Sequence, residues 1–246
     1  MSLAYERMAE VYDRWMEGVD YNTWWTYLRD TFALSPGMRI LETACGTGNL
    51  TARIASEGYQ VVASDFSAAM LAQAEQKLRG RRNVRFLQLD MRQLPTNLGK
   101  FDAIIAACDA VNYLTRPEHV QQFIYGAASL LQDGGVLLFD VHGMGRVTDW
   151  AHAPHHNFVS SDSCYLWRAE LRGKAICHHI TGFTRNPDGT WQRFDELHQQ
   201  RYYNITDIQP MIEAAGLHME AAYQFRTHEP YSELSSRVQV CARLVR

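Results

Sequence analysis

The sequence predicts an α/β fold: a Rossmann-like, doubly wound, seven-stranded, mostly parallel sheet with an antiparallel last strand, plus a small antiparallel β insertion. Three observations predict it. Between residues 38 and 140, short apolar runs alternate with helix-like segments, the spacing of strand–helix–strand units. The first three runs lead into acids, Glu42, Asp65 and Asp90. After His142 strand-like runs follow one another without helices as far as residue 203.

Residues 4–32 read as helical with a break near 18–21. This segment is rich in aromatics: Tyr5, Tyr12, Trp15, Tyr21, Trp24, Trp25 and Tyr27. Ser35-Pro36-Gly37 is a turn into the first strand, 38–42. Residues 50–57 form a helix that Gly58 closes, and 60–64 form the second strand, ending at Asp65. Ser67 is placed to cap a helix over 68–79. Strands three and four are 84–88 and 101–107. A helix over 118–131 has Pro117 in its first turn, and Asp133-Gly134-Gly135 leads into strand five, 136–140.

Beyond it, Tyr165, Trp167, Ala169 and Leu171 alternate with more polar neighbours. Asn186-Pro187-Asp188-Gly189 is a strong turn signal between two such runs. Three or four antiparallel strands over one end of the core follow from this pattern. Residues 206–215 form a helix closed by Gly216, and 218–226 and 237–244 close the chain as an antiparallel pair. Three parts result: a helical lid segment over 1–35, a core over 36–145 and 204–246, and an insertion over 146–203.

At 246 residues the chain can bury a sizeable core. A net charge of −3 with dispersed basic residues argues against a nucleic-acid partner. The Arg79–Arg82 cluster, broken by Gly80, fits a solvated turn. Five scattered cysteines without a C-x-x-C pair fit a reducing, cytoplasmic setting. Charges at Glu6, Arg7 and Glu10 disfavour a signal peptide, and no apolar run suggests a membrane span. Oligomeric state leaves no mark.

The most informative stretch is 39–50. A short strand meets Glu42, then a Gly46-x-Gly48 turn, then a helix starting near Asn49. Such a turn exposes backbone N–H groups to a nucleotide-like ligand at a strand's carboxyl end. Glu42 repels a pyrophosphate and attracts a ligand that carries positive charge.

Four motifs together resemble the class I S-adenosylmethionine-dependent methyltransferases. They are Leu41-Glu42-Thr43-Ala44-Cys45-Gly46-Thr47-Gly48, Ala63-Ser64-Asp65-Phe66-Ser67-Ala68-Ala69-Met70-Leu71, Leu89-Asp90-Met91 and Leu130-Leu131-Gln132-Asp133-Gly134-Gly135. The chain is most similar to small bacterial members with an aromatic N-terminal helix and an antiparallel insertion after strand five. Amino-sugar N,N-dimethyltransferases and glycine N-methyltransferase have this shape.

The resemblance implies S-adenosylmethionine as cofactor, S-adenosylhomocysteine as product and a small-molecule acceptor with a nitrogen or oxygen nucleophile. It implies that Glu42 helps hold the methionine ammonium beside Ala44, Gly46 and Gly48. Asp65 reaches the ribose hydroxyls, Phe66 and Met70 flank the adenine, and Asp90 and Met91 meet its amino edge. Cys108 borders the sulfonium as a soft wall residue. Tyr12 and Tyr21 lie across the cofactor. Each position also has a plain structural reading: a satisfied carboxylate for Glu42, a turn cap for Asp90, core packing for Met70.

Asn112, Tyr113, Arg201 and Tyr202 are substrate-facing candidates. His142, just beyond strand five, is the acid–base candidate, since an imidazole can accept a proton near neutrality. The insertion's His152, His155, His156, His178, His179 and His198 lack ligand spacing, and His178 and His179 should face opposite ways on a strand, so no metal is expected. Two rivals remain. An NAD(P)-dependent oxidoreductase is opposed by Glu42 and by Thr51 at the third fingerprint position; a non-catalytic S-adenosylmethionine-binding protein is opposed by the intact motif.

Overall fold

The computed structural model describes Tyr5 and residues 7–245. The expected start of the N-terminal helix at Ala4, and Glu6 within it, lie outside the described residues. The described strands of the core are β1 (Arg39–Thr43), β2 (Gln60–Asp65), β3 (Val84–Gln88), β4 (Phe101–Ala106), β5 (Leu131–His142), β10 (Leu217–Gln224) and β11 (Arg237–Leu244). They form one sheet in the order β10-β11-β5-β4-β1-β2-β3. β11 is antiparallel to both neighbours, and β1 to β5 pair parallel. The expected sheet and closing pair are both present.

Successive residues of β4 feed opposite faces. Ile104 enters a core under α5 (Pro117–Leu130) and α7 (Ile205–Ala214), with Val120, Phe123, Ile208 and Ile212. Ala103 and Ile105 enter the other core, under α2 (Tyr21–Thr31), α3 (Asn49–Ser56) and α4 (Ala68–Lys77). Trp24, Trp25 and Leu28 of α2 are almost fully buried there. Each such side chain contributes roughly 1.5–3 kcal/mol by leaving water. The chain winds from β1 to β2 and β3 on one side and through β4 to β5 on the other. That reversal opens a crevice at the carboxyl ends of β1 and β4.

The N-terminal segment is less helical than its sequence predicts. A 3₁₀ turn over Met8–Glu10 and a single helical turn, α1 (Tyr12–Trp15), precede α2. Asp20 starts α2 afresh by accepting the Thr23 N–H at 3.0 Å. Trp15 packs instead on Tyr165 and Phe194 of the insertion, with ring centres 4.6 and 5.8 Å away. Tertiary aromatic packing overrides helix continuity here.

The insertion also differs from expectation at its start. Residues from Arg146 on were expected to be strands, but α6 (Met144–His152) comes first. Its Trp150 is buried against Ala169, Ile176 and Tyr202, which rewards an amphipathic helix. Gly143 lets the chain enter it closely, because a Cβ there would fall 2.0 Å from the Ser235 carbonyl oxygen. β6 (His155–Val159), β7 (Ser163–Arg172), β8 (Ala175–Arg185) and β9 (Trp191–Arg201) then form one antiparallel sheet in that order. The expected hairpin at 186–190 joins β8 and β9, with the Asn186 N–H donating to the Thr190 carbonyl at 2.8 Å. The sheet meets the core at the loop after β4, where Asn112 Nδ2 donates to the Arg201 carbonyl at 2.7 Å. No described helix is long and apolar enough to cross a membrane.

Candidate active site

A cleft of about 730 Å³ opens at the carboxyl ends of the central strands. Thr43, Ala44 and Gly46 of the β1 loop line one side, with Ser64, Asp65 and Phe66 of the β2 loop. Gln88, Asp90, Met91 and Arg92 after β3 line one end. Cys108 and Ala110 after β4 line the other, with Tyr5, Tyr12 and Tyr113. The loops on both sides of the crevice adopt left-handed backbone at non-glycine residues: Ala44 (φ 55°), Cys108 (φ 59°) and Asp109 (φ 50°). Such residues cost on the order of 1–2 kcal/mol each and persist where surroundings hold them. Asp140 Oδ2 does so for Asp109 by accepting its N–H at 2.8 Å.

Asp65 organises the first side. Its Oδ2 accepts the Gly46 N–H at 2.8 Å and its Oδ1 accepts the Ser67 N–H at 2.8 Å. Burial pushes the carboxyl above its usual range, against the pull of these N–H groups. Each oxygen keeps a further lone pair for a ligand hydroxyl. Phe66 is 54% exposed, an uncovered aromatic face inside a cleft. Met70 and Met91 add apolar wall. Ser67 caps α4 as expected, accepting the Met70 N–H at 3.3 Å. Asp90 accepts the Arg92 N–H and also holds the Arg92 guanidinium at 2.5 Å. Burial raises its carboxyl, but the Arg92 contacts win and leave it below its usual range.

Glu42 lies beneath the loop. It is 2% exposed and its Oε2 accepts the Thr51 hydroxyl at 2.6 Å. Burial pushes its carboxyl up to about 8, against that hydrogen bond. It is not among the residues that line the cleft. Gly48 does not line it either. Its missing side chain makes room for α4, since a Cβ would lie 3.0 Å from Ala74 Cβ, and its φ is +78°. Gly46 thus lines the cleft, whereas Gly48 packs against α4. Tyr12 lines the cleft, whereas Tyr21 stands outside the lining and packs near Trp24. The Cys108 thiol is pushed up by burial, so it fits the wall role rather than a thiolate.

The acid–base and substrate candidates fare differently. His142 was expected to face the acceptor, but its ring is 4% exposed and not part of the cleft wall. Its Nε2 lies 2.8 Å from Gln200 Oε1, and the Trp150 ring stands edge-on at 4.9 Å. Burial lowers its pKa. Asn112 is fully buried and spends its amide on the His142 N–H and the Arg201 carbonyl. Tyr202 and His142 border a separate small hollow with Tyr231, and Arg201 lies beside the Tyr203 ring. None of these lines the cleft. Tyr113 alone of this group does.

Sequence reasoning missed what backs Tyr113. Its hydroxyl lies 3.0 Å from His198 Nδ1, and His198 Nε2 lies 2.8 Å from Glu196 Oε2. The available signal was the Glu196-x-His198 spacing, which puts both on one strand face. Nothing in the sequence joins that face to residue 113.

A methyltransferase-domain family model matches residues 40–135, the span that builds the cleft floor. YqeM of Bacillus subtilis (strain 168), named as a methyltransferase, is 32% identical over 94% of this chain and 94% of its own length. An S-adenosylmethionine-dependent methyltransferase from Clostridium acetobutylicum superposes with a TM-score of 0.86 at 25% identity, over 99% of this chain and 100% of that one. The sugar N-methyltransferase KedS8 from Streptoalloteichus superposes at 0.76 with 20% identity over 98% and 96%, a likeness of fold. The cleft itself suits the nucleoside part of this cofactor: a carboxylate, Asp65, with spare lone pairs, an uncovered aromatic face and a glycine turn at a parallel strand's tip. The chain belongs to the class I S-adenosylmethionine-dependent methyltransferases, and S-adenosylmethionine is its cofactor.

Proposed function

We propose that this enzyme methylates a small molecule at a nitrogen or oxygen. The observation that carries the reading is the phenol lining of the cleft: Tyr5, Tyr12 and Tyr113 line it together with Cys108, with the Tyr5 ring 5.9 Å from that of Tyr12 and 5.7 Å from that of Tyr113. An acceptor there meets a phenol-lined space that suits a compact polar molecule better than a polymer strand. The sugar N-methyltransferase among the structural neighbours supports an amine.

When bound, S-adenosylmethionine supplies a methyl group activated by a sulfonium. Asp65 would accept the ribose hydroxyls while its existing bonds keep Gly46 and Ser67 in register. Phe66 and Met91 would flank the adenine. Asp90 would face its amino edge, which requires Arg92 to yield part of its grip. Glu42, its carboxyl raised by burial, acts from below by holding the Thr51 hydroxyl and with it the start of α3. Tyr12 and Tyr5 exclude water and confine the acceptor, so that orientation supplies much of the rate.

The test is transfer of a labelled methyl group from S-adenosylmethionine into a cell extract divided by size. Label in the low-mass fraction is expected. Label confined to protein or RNA overturns the reading.

A further inference from the structure

Behind Tyr113 runs a row of hydrogen-bonded groups with a defined direction. Tyr5 Oη lies 2.5 Å from Tyr113 Oη, Tyr113 Oη lies 3.0 Å from His198 Nδ1, and His198 Nε2 lies 2.8 Å from Glu196 Oε2. Glu196 and His198 are 5% and 2% exposed. Glu196 also accepts the N–H groups of Tyr5, Arg7 and Met8 at 2.9, 3.0 and 2.8 Å. Burial pushes its carboxyl up, but His198 and these N–H groups hold it below its usual range, so it is ionised. An ionised carboxylate only accepts, so His198 Nε2 carries the hydrogen. With its hydrogen on Nε2, the ring accepts at Nδ1, and Tyr113 donates to it. Tyr5 donates in turn to the Tyr113 oxygen. That oxygen keeps a second lone pair, and Tyr113 lines the cleft beside Tyr5, Tyr12 and Cys108.

We propose that Tyr113 accepts the proton of the methyl acceptor, and that His198, held by Glu196, is the positioning residue that takes Tyr113's own proton. This rests on the small-molecule amine or hydroxyl reading above. The acceptor's N–H or O–H bond breaks and leaves its electron pair on that atom, free to attack. A new O–H bond forms on Tyr113 as its old one breaks, and an N–H bond forms on His198 Nδ1. The resulting imidazolium lies against the Glu196 carboxylate, so charge is conserved and the positive end is paired. Burial, and then Asp109, hold the Tyr113 phenol above its usual range, so it passes a proton on rather than resting as a phenolate. The arrangement backs Tyr113 with a residue of the insertion, 56 positions beyond His142.

The experiment needs no acceptor. In sinefungin a carbon bearing an ammonium replaces the sulfonium sulfur and its methyl, so the ammonium stands at the transferring-methyl position and its hydrogens reach into the space where the acceptor would sit. Calorimetry compares it with S-adenosylhomocysteine, which has nothing there. The wild type should prefer sinefungin by about tenfold or more, the range of a hydrogen bond to a charged group. Tyr113→Phe and His198→Gln should bring that preference near unity and leave S-adenosylhomocysteine affinity within about threefold. In ¹⁵N-histidine spectra His198 should carry its hydrogen on Nε2, and Tyr113→Phe should shift only its Nδ1 signal strongly. A preference unchanged in Tyr113→Phe, no preference in the wild type, or the His198 hydrogen on Nδ1 overturns the proposal. Label passing to a polymer while the preference and tautomer stand as expected overturns the small-molecule reading alone.

Discussion

His178 and His198 face each other across the β8–β9 pair, both buried, yet they join different hydrogen-bond networks. His178 joins a closed network. It accepts from Trp167 Nε1 at 3.1 Å and meets Gln200 Oε1 at 2.9 Å. Gln200 also bonds His142 and donates to Asp109 Oδ2 at 2.7 Å. Arg237 then bridges Asp109 and Asp140 at 2.8 and 2.9 Å. His198 joins a row that ends at Tyr113 in the cleft. Both sides pair a buried histidine with a carboxylate-bearing network. What separates scaffold from candidate chemistry is whether the last member reaches the cavity with a lone pair unspent.

The largest expected effect breaks the closed side. Arg237→Met removes the cation between two buried carboxylates and should cost about 3–5 kcal/mol. Chemical denaturation at neutral pH measures it. The loss should shrink on acidification, as Asp140, which burial and Asp109 raise to about 6 despite Arg237, becomes protonated. A loss under about 1 kcal/mol would show that this network does not hold the insertion to the core.

Next comes the open side. Asp65→Ala removes the anchor of Gly46 and Ser67 as well as the ribose acceptors. It should weaken S-adenosylhomocysteine binding by roughly 2–4 kcal/mol, from two hydrogen bonds of ~1.5–3 kcal/mol that do not add fully. Calorimetry on the folded variant decides it, and an unchanged dissociation constant removes Asp65 from the site.

The two regions were not equally legible in the sequence. The cleft floor was, because each of its residues follows a strand by a fixed local offset: Gly46 and Asp65 by their turns, Ser67 by its cap, Met91 by its place after β3. Glu42 shows the limit of that logic. Its strand position was read correctly, but its side chain points beneath the loop to Thr51, nine residues on. His178 and His179 do part to opposite faces, as strand alternation requires. The networks were not legible, because their members lie far apart in the chain. His142 and Gln200 are separated by 58 residues, and Tyr113 and His198 by 85. Local pattern cannot choose which histidine meets which partner across the insertion seam. Position beside strand five therefore favoured His142, and tertiary pairing placed His198 behind the cleft instead.

The closed network also carries a pH signature. Burial lowers the His178 pKa to about 4 from its ordinary 6.5, against the pull of Gln200 and Asp109 and with the push of His142 and His198. A depressed folded value means that the unfolded chain binds the proton first. The stability contributed is full above pH 6.5 and is lost as pH falls toward 4. At ~1.4 kcal/mol per unit the wild type should lose on the order of 2–3 kcal/mol through this group across that window. His178→Gln should flatten the acid limb of stability against pH. Parallel limbs in the two proteins would mean that His178 is solvated when folded.

The smallest effect is expected at His142, and it tests the comparison most directly. The His142 ring belongs to the closed side: it bonds Gln200 and packs on Trp150, and the cleft wall does not include it. His142→Gln loses ring packing and realigns one hydrogen bond, for about 1–2 kcal/mol of stability by denaturation. It should change S-adenosylhomocysteine affinity by less than about twofold, since ~0.4 kcal/mol or less reaches the ligand from a residue with no contact to it. It should also leave the preference for sinefungin intact, where His198→Gln abolishes it. The pair of variants is matched: each turns a buried histidine into the same amide, one in each network. If His142→Gln erased the preference and His198→Gln did not, the roles assigned to the two networks would have to be exchanged.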